Sequence, residues 1–308
     1  MTRLPVWLSQ HLAALRVVLV LTLTTGLLYP LGMTALAHIP GLAAPAQGSE
    51  LKGADGSMVG SRLIGQAFTD GKGNALPQYF QSRPSDAGSD GGTSQPEAGG
   101  GYDPTASGAS NLGPENVVDT LETGNDPKTF KSSLLTQVCS RSAAVGALEH
   151  VDGSRPYCTP DGVGAVLGVY YTGGTSGTVS KVVSLNQACP AKPFLAEYQG
   201  VPVGCATPGE DYSGAVTVPI RGDAPAHPVV PADAVTASGS GLDPQISPAY
   251  AALQVPRIAG RRHTSEQNIR TLVAKYTTGR ALGILGAPGV DVLELNLALD
   301  RSYPNQGA

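Results

Sequence analysis

Four side chains in the C-terminal half have the types that a hydrolase needs. Ser238, Ser240 and Asp243 lie in one loop, and His263 follows about twenty residues later. A serine nucleophile, a histidine base and an orienting carboxylate together catalyse acyl transfer. The G-x-S-x-G pattern of a nucleophile elbow fails around Ser240, however, because Ser238 stands where the first glycine is required. We therefore expect no catalytic residues in this chain.

Other motifs that bind cofactors or nucleic acid are incomplete. Gly71 and Lys72 lack the earlier glycine and the following Ser or Thr of a phosphate-binding loop. Two of the five histidines flank an apolar segment and the others are scattered, which argues against a metal cluster. The net charge of −4 argues against nucleic acid, which favours a basic surface. The sequence predicts no metal, no cofactor of its own and no nucleic-acid partner.

The four cysteines Cys139, Cys158, Cys189 and Cys205 lie close together in the sequence. None forms the C-x-x-C pair that is usual in zinc sites, so two disulfides are favoured over zinc or free thiols. Four cysteines allow three pairings, and the simplest joins Cys139 to Cys158 and Cys189 to Cys205. Disulfides require an oxidising compartment.

An uncharged apolar segment, residues 17–37, predicts a transmembrane helix. Such a helix spans about 31 Å at roughly 1.5 Å per residue, enough for the hydrocarbon core of a bilayer. The alternative is a cleaved signal peptide, which the triplet Ala35-Leu36-Ala37 would suit, although the segment is longer than the apolar region of such peptides.

Positive charge before this segment predicts its orientation. Arg3 and Arg16 precede it, and no acidic residue does. The positive-inside rule then makes residues 1–16 cytoplasmic and places residues 38–308 outside the cell membrane. This single-pass topology agrees with the disulfides.

The remaining sequence predicts an α+β domain built from residues 38–116 and 229–300, with a short tail at 301–308. Residues 86–110 are rich in Gly, Ser and Asp and predict a surface loop. Between the two parts lies the inserted region (residues 117–228), in which residues 163–185 have the pattern of a β-hairpin. The inserted region is therefore expected to be a small, mainly-β, disulfide-stapled unit in a surface connection, dispensable for assembly.

Two helices and a strand are predicted near the C-terminus. Ser247 and Pro248 start a helix of about two turns, which Pro256 is expected to stop. Thr264 and Gln267 form a capping box for a second helix. That helix carries an apolar stripe of Ile269, Leu272, Val273 and Tyr276. Alternating apolar and polar residues at 290–300 predict a half-buried strand.

Several segments together resemble the C subunit of the Kdp potassium-transporting P-type ATPase. In chain order they are YPLGMTALA, GSRLIGQAF, YFQSRPS, SGASNLGPEN, VTASGSGLDPQISPAYAALQVPRIA and LGAPGVDVLELNLALD. The resemblance covers about residues 1–116 and 229–300. Residues 117–228 depart from the pattern, since family members usually have a short helical connection there.

The resemblance implies a non-catalytic accessory subunit that is needed for assembly and stability. Its partners would be a channel-like potassium-binding subunit and a P-type subunit that hydrolyses ATP, so the complex, not this chain, would handle ATP and potassium. The family is described as a catalytic chaperone that raises the ATP affinity of the pump subunit. The alternative function is a membrane-anchored extracellular binding or adhesion module.

The family motif around residues 236–260, called here the corner, is the candidate docking site. Gly239 and Gly241 are expected to let the backbone turn tightly, and Gln254 and Arg257 to project towards a partner. The candidate nucleotide or partner contacts are Ser238, Gly239, Ser240, Gly241, Gln254 and Arg257. The small and polar residues of the span that would pack against partner helices are Thr22, Thr24, Thr25, Gly26 and Gly32.

Overall fold

A computed structural model of the chain describes residues 5–53, 55–87, 102–124 and 126–305. Most of the predicted surface loop at 86–110 lies outside the described residues. The first feature is a continuous helix, made of α1 (Val6–Leu23), one wider π-helical turn (Thr24–Leu28) and α2 (Tyr29–Ala37). Its most apolar window has a mean hydropathy of 1.9, and none of that window is buried. By length and composition this helix can cross a membrane, and it begins at Val6, earlier than the predicted start at residue 17.

The elements after this helix are a mixture of helices and strands. In chain order they are α3 (Ala43–Ala46), β1 (Glu50–Lys52), β2 (Met58–Ser61), α4 (Leu134–Glu149), β3 (Val166–Tyr171), β4 (Val179–Ala188), β5 (Glu197–Tyr198), β6 (Val201–Ala206), β7 (Val216–Pro219), β8 (Gln245–Ile246), α5 (Pro248–Arg261), α6 (Glu266–Lys275), β9 (Thr277–Thr278), β10 (Gly289–Asp291) and α7 (Val292–Ser302).

The first hydrophobic core lies among α5, α6, α7 and a three-stranded antiparallel sheet with β10 at its centre. Ile258 of α5, Ile269 of α6 and Leu295 of α7 are completely buried in it. The apolar stripe predicted for α6 is confirmed, since the other three stripe residues pack against the same core. The helix begins one residue later than predicted, because Ser265, and not Thr264, caps it.

The second hydrophobic core belongs to a five-stranded sheet of order β5-β6-β4-β3-β7. The predicted hairpin is confirmed: β3 and β4 pair antiparallel, with Val169 opposite Val182. β6 joins the other edge of β4 in parallel. Leu167, Val169 and Val182 are buried on one side of this sheet.

The inserted region also contains a helix, which the mainly-β prediction missed. Ser133 caps α4 by accepting a hydrogen bond from the N–H of Thr136 at 3.1 Å. The buried side of α4 includes Gln137, Ser142 and Gly146, so its sequence has no clear apolar stripe. Because Val145 of α4 lies in the first core, the inserted region is part of the packing of both cores.

Two further predictions about the C-terminal elements are wrong. Only residues 289–291 form a strand, and residues 292–302 form α7. The leucines from 293 to 299 alternate with other residues, but Val292, Leu295 and Leu299 have a helical spacing, and the burial of these three residues in the core with α5 and α6 selects the helix. α5 does not stop at Pro256 but continues to Arg261.

Candidate functional site

The family motif YFQSRPS (residues 79–85) begins in a segment that helices α5 and α7 hold through their side chains. Residues 77–81, called here the clamped segment, form neither a helix nor a strand. Each of their five backbone carbonyls accepts a hydrogen bond from a side chain of α5, of α7 or of the residue after α5. The donors are Arg257 for Pro77 and Tyr79, Arg262 for Gln78, Asn296 for Phe80 and Gln254 for Gln81.

Two buried amides pair with the clamped segment as a neighbouring strand would. Asn296 accepts from the N–H of Phe80 at 2.9 Å and donates to its carbonyl at 2.9 Å. Gln254 does the same for Gln81, at 2.7 Å and 3.1 Å. Phe80 and Gln254 are completely buried. A buried backbone group without a partner is costly, so these amides replace the sheet that the segment lacks.

Arg257 forms a buried ion pair across the interface between α5 and α4. Its Nε lies 3.0 Å from each carboxylate oxygen of Glu149, and its Nη2 donates to Gln254 at 2.8 Å. The side chains of Arg257 and Glu149 are 5% and 1% exposed. Burial raises the pKa of Glu149, while the Arg257 guanidinium opposes this effect.

The prediction that Gln254 and Arg257 project from the corner is wrong. Both side chains point into the protein, where they bind the chain's own backbone and Glu149. The sequence offered no signal for this, because their partners lie over 100 residues away. Their predicted contact with a partner subunit or a nucleotide would require the clamped segment to leave.

Arg262 is a second buried guanidinium that sequence reasoning missed. It donates to the Gln78 and Tyr303 carbonyls and to Asp300 at 2.7 Å. Its guanidinium also lies 5.0 Å from the centre of the Tyr79 ring. The side chain has no exposed surface, so its charge serves the fold.

The loop at the start of the corner is closed by its own hydroxyl groups. Ser238 is 1% exposed and accepts from the N–H of Gly241 at 3.0 Å, while Ser240 donates to Asp243 at 3.2 Å. Gly241 has φ +72°, and a Cβ there would collide with Ala87. The predicted tight turn thus holds for Gly241, whereas Gly239 has a normal φ and open space around it.

Residues from distant segments hold this loop in place. Arg83 pairs with Asp243 at 2.8 Å, and the hydroxyl of Tyr102 donates to the Asp243 carbonyl at 3.0 Å. Burial raises the pKa of Tyr102 above its ordinary value, which keeps the hydroxyl protonated. In the described part of the chain, the hydrogen bonds of Ser238, Ser240 and Asp243 include none to a histidine, so the geometry provides no base for a nucleophile.

A cavity of about 290 Å³ lies beside this loop. Arg83, Tyr102 and Tyr250 line one part of it, and Val145 and Leu148 of α4 form an apolar wall. Its volume is at the lower end of the range for small-molecule sites. The charge of Arg83 is already paired with Asp243, so that residue brings no unpaired charge to the cavity.

The two disulfides have the simplest of the three possible pairings. Cys139 of α4 is joined to Cys158, and Cys189, just after β4, is joined to Cys205 of β6. The first ties α4 to the start of the β-sheet region, and the second joins two neighbouring strands. Among the described residues, no group of three His, Cys, Asp or Glu side chains could hold a metal ion.

Comparisons with known proteins identify relatives along nearly the whole chain. A family model described as the K+-transporting ATPase c chain matches residues 11–137 and 216–301. A potassium-transporting ATPase KdpC subunit from Kineococcus radiotolerans is 36% identical over 297 residues, which cover 96% of each chain. Those from Gemmatimonas aurantiaca and Caulobacter vibrioides are 34% and 31% identical, over 95% and 92% of this chain and 94% and 88% of theirs.

The comparisons confirm the expectation that the inserted region departs from the family pattern only for its central part, and they show that the relatives named above share that part. An alignment over 96% of both chains leaves no room for the Kineococcus relative to lack residues 117–228. The family model nevertheless passes over residues 138–215, which contain most of α4 and strands β3 to β6. Residues 138–215 are therefore shared with these relatives without being part of the general family pattern, whereas both ends of the inserted region match the family model.

Proposed function

Because this chain belongs to the KdpC family of potassium-transporting ATPase subunits, we propose that it is a non-catalytic accessory subunit needed for assembly and stability of an ATP-driven potassium uptake complex. The observation that carries the proposal is the family match along nearly the whole chain. The proposal agrees with the burial of Gln254, Arg257 and Arg262, whose side chains bind the chain's own backbone. Contacts with partner subunits would then be made by other, surface residues.

Co-purification tests this proposal directly. A tagged chain, extracted in mild detergent from cells that carry the whole complex, is expected to bring with it a channel-like potassium-binding subunit and a P-type ATP-hydrolysing subunit. A chain that purifies alone as a monomer would instead favour the alternative of a free-standing, membrane-anchored binding or adhesion module.

We further propose that the chain is a single-pass protein of the cell membrane with residues 38–308 outside. The apolar helix, the two arginines that precede its uncharged part (Arg3 and Arg16) and the two disulfides all support this orientation. In intact cells, a membrane-impermeant maleimide should label Asp223→Cys but not Ser9→Cys. Labelling of Ser9→Cys alone would indicate the opposite topology, with residues 38–308 in the cytoplasm.

Within the membrane, small residues of the helix are proposed to pack against helices of the partner subunits. The Thr25 hydroxyl donates to the Leu21 carbonyl of its own helix, which hides its polarity, and Gly26 and Gly32 leave open space for a close neighbour. Gly26→Leu together with Gly32→Leu should reduce co-purification, with Val18→Leu as the control. The Thr22 and Thr24 contacts belong to the same proposal.

We propose that this chain raises the ATP affinity of the ATP-hydrolysing subunit indirectly, without binding ATP itself. This chain has no cofactor of its own, and its partners handle ATP and potassium. The contacts predicted for Ser238, Gly239, Ser240 and Gly241 stay predictions, with a partner surface favoured over a nucleotide because ATP is cytoplasmic. Removing the chain should raise the KM for ATP of the complex, while the isolated chain should bind no labelled ATP. Saturable ATP binding by the chain alone would contradict the indirect mechanism.

A further inference from the structure

The connection between β9 and β10 has a tight turn of apolar residues at its tip. Ala281 and Leu285 pair with each other, and the N–H of Ile284 donates to the Ala281 carbonyl at 3.2 Å. The two central residues of this turn, Leu282 and Gly283, have φ +52° and +77°. Positive φ at both central positions is the mark of a type I′ turn. We call residues 281–285 the prong.

Two unfavourable features coincide at the prong. A type I′ turn favours Asn, Asp or Gly at its first central position, because the Cβ of other residues is crowded there. Leu282 occupies this position, and it is 90% exposed. Ile284 is 76% exposed and Leu285 is 56% exposed. Of the large hydrophobic residues described outside the helix Val6–Ala37, Leu282 and Ile284 are the two most exposed.

The prong is attached to a rigid part of the protein. β10 lies between β8 and β9 in the first core's sheet, and Val290, five residues after Leu285, is completely buried. α7 follows β10 directly. The prong therefore projects from a rigid base, although its own residues are exposed. Around it, residues 279–288 contain one charged side chain, Arg280, and no acidic one.

We propose that the prong docks into an apolar pocket on the outer surface of a membrane-embedded partner subunit. This inference rests on the proposed function, which supplies such a partner. The chain between Ala37 at the end of the helix and Glu50 at the start of β1 can reach at most about 45 Å. The tether thus keeps the domain beside any subunit that shares its membrane.

A protein pocket explains the shape of the prong better than a lipid surface does. A fluid bilayer accepts apolar side chains in many conformations, so it gives no reason to hold a leucine in a left-handed turn. Interfacial segments also commonly carry several Lys or Arg together with aromatic residues, whereas the prong has Arg280 alone beside it. A preformed pocket selects one shape, and a few anchored side chains then carry most of the affinity.

Leu282→Asn separates docking from folding. Asn suits the left-handed position and water, so the melting temperature of the variant chain should stay equal or rise. Its affinity for the purified remainder of the complex in detergent should fall about tenfold or more. Ile284→Ala, which leaves the turn residues intact, should weaken binding in the same direction. The control is Leu63→Asn, at a 62% exposed leucine outside the prong, which should leave the affinity unchanged.

Each other outcome would overturn the proposal. If the Leu282 and Ile284 variants bind like the wild-type chain, the prong is not the anchor, although the proposed function stands. If the wild-type chain itself does not bind the remainder of the complex, the result contradicts the proposed function, and the prong proposal falls with it. A fluorophore on Leu282→Cys that lipid-borne nitroxides quench in the reconstituted complex would indicate the bilayer. Self-association of the chain alone that Leu282→Asn abolishes would indicate a second copy.

Discussion

The two hydrophobic cores of this protein are stabilised in different ways. In the first core, side chains of α5 and α7 satisfy the backbone of the clamped segment, and single buried groups such as Gln254 and Asn296 each serve two backbone atoms. In the second core, five strands share a ladder of backbone hydrogen bonds, and a disulfide joins two neighbouring strands. The first core should therefore be sensitive to single polar residues, whereas the second distributes its stability over many bonds.

The largest expected effect comes from deleting the parts that the two cores share. The inserted region is not the dispensable surface connection that its sequence predicts: replacing residues 120–226 with a short linker should prevent folding, because the deletion removes Val145 and Glu149 from their packing against the first core. Replacing only residues 160–219 should leave the first core folded, since the Tyr157 N–H already bonds the Arg221 carbonyl at 3.0 Å. Circular dichroism and protease resistance measure both. Equal folding of the two deletions would show that α4 is dispensable.

Arg257→Ala tests the dependence of the first core on one side chain. It leaves the buried Glu149 without its partner, which should lower the free energy of unfolding by about 3–5 kcal/mol. Chemical denaturation of the full chain in detergent measures the loss. In the matched double variant Arg257→Met with Glu149→Gln, no charge is left unpaired, and the loss should be smaller. A single variant as stable as the wild type would mean that the clamp contributes little.

Removing the Cys189–Cys205 disulfide tests the second core. Cys189→Ser with Cys205→Ser should cost about 3 kcal/mol in the chain-entropy model of loop closure. Hydrogen exchange should speed up in β4 and β6 and stay unchanged in α5. The matched removal of Cys139 and Cys158 should loosen α4 and, through it, both cores. Four alkylatable thiols in the native protein would contradict both disulfides.

The smallest expected effect is a change in stability with pH at Asp119, which lies where α4 meets strand β4. Asp119 accepts from the Ser133 N–H and the Thr136 hydroxyl, and its own N–H donates to Asn186 of β4. Burial raises the pKa of Asp119, although these hydrogen bonds oppose the shift. A carboxyl with a raised pKa in the folded state favours folding most at low pH and loses this contribution as pH rises. The destabilisation by Asp119→Asn should therefore shrink between pH 4 and pH 7. A difference that grows over this range would mean a lowered pKa.

Local signals in the sequence predicted local structure well. Ser247 and Pro248 do start α5, and the β3–β4 hairpin lies where β-branched residues flank a glycine-rich turn. Each of these features depends on residues within a few positions of one another. The disulfide pairing follows the same logic, because the shortest loops are the ones that close.

Features that depend on distant partners were missed. Residues 292–302 satisfy both an alternating and a helical pattern, and only packing against α5 and α6 selects the helix. Pro256 lies inside α5 because the buried Val255 and Ile258 on either side of it hold the helix in the core. Gln254 and Arg257 are buried because the clamped segment accepts their hydrogen bonds, and nothing near them in the sequence indicates partners more than 170 residues away.

The clamped segment also sets an order of events during synthesis. The contacts of Phe80 with Asn296 join residues 216 positions apart. At the usual rates of translation, the clamped segment is made roughly 10–40 s before its last partner exists. During that time its backbone can bond only to water or to other proteins. The domain can thus close only after nearly the whole chain has been made, and a chain that ends before α7 should be sensitive to proteases.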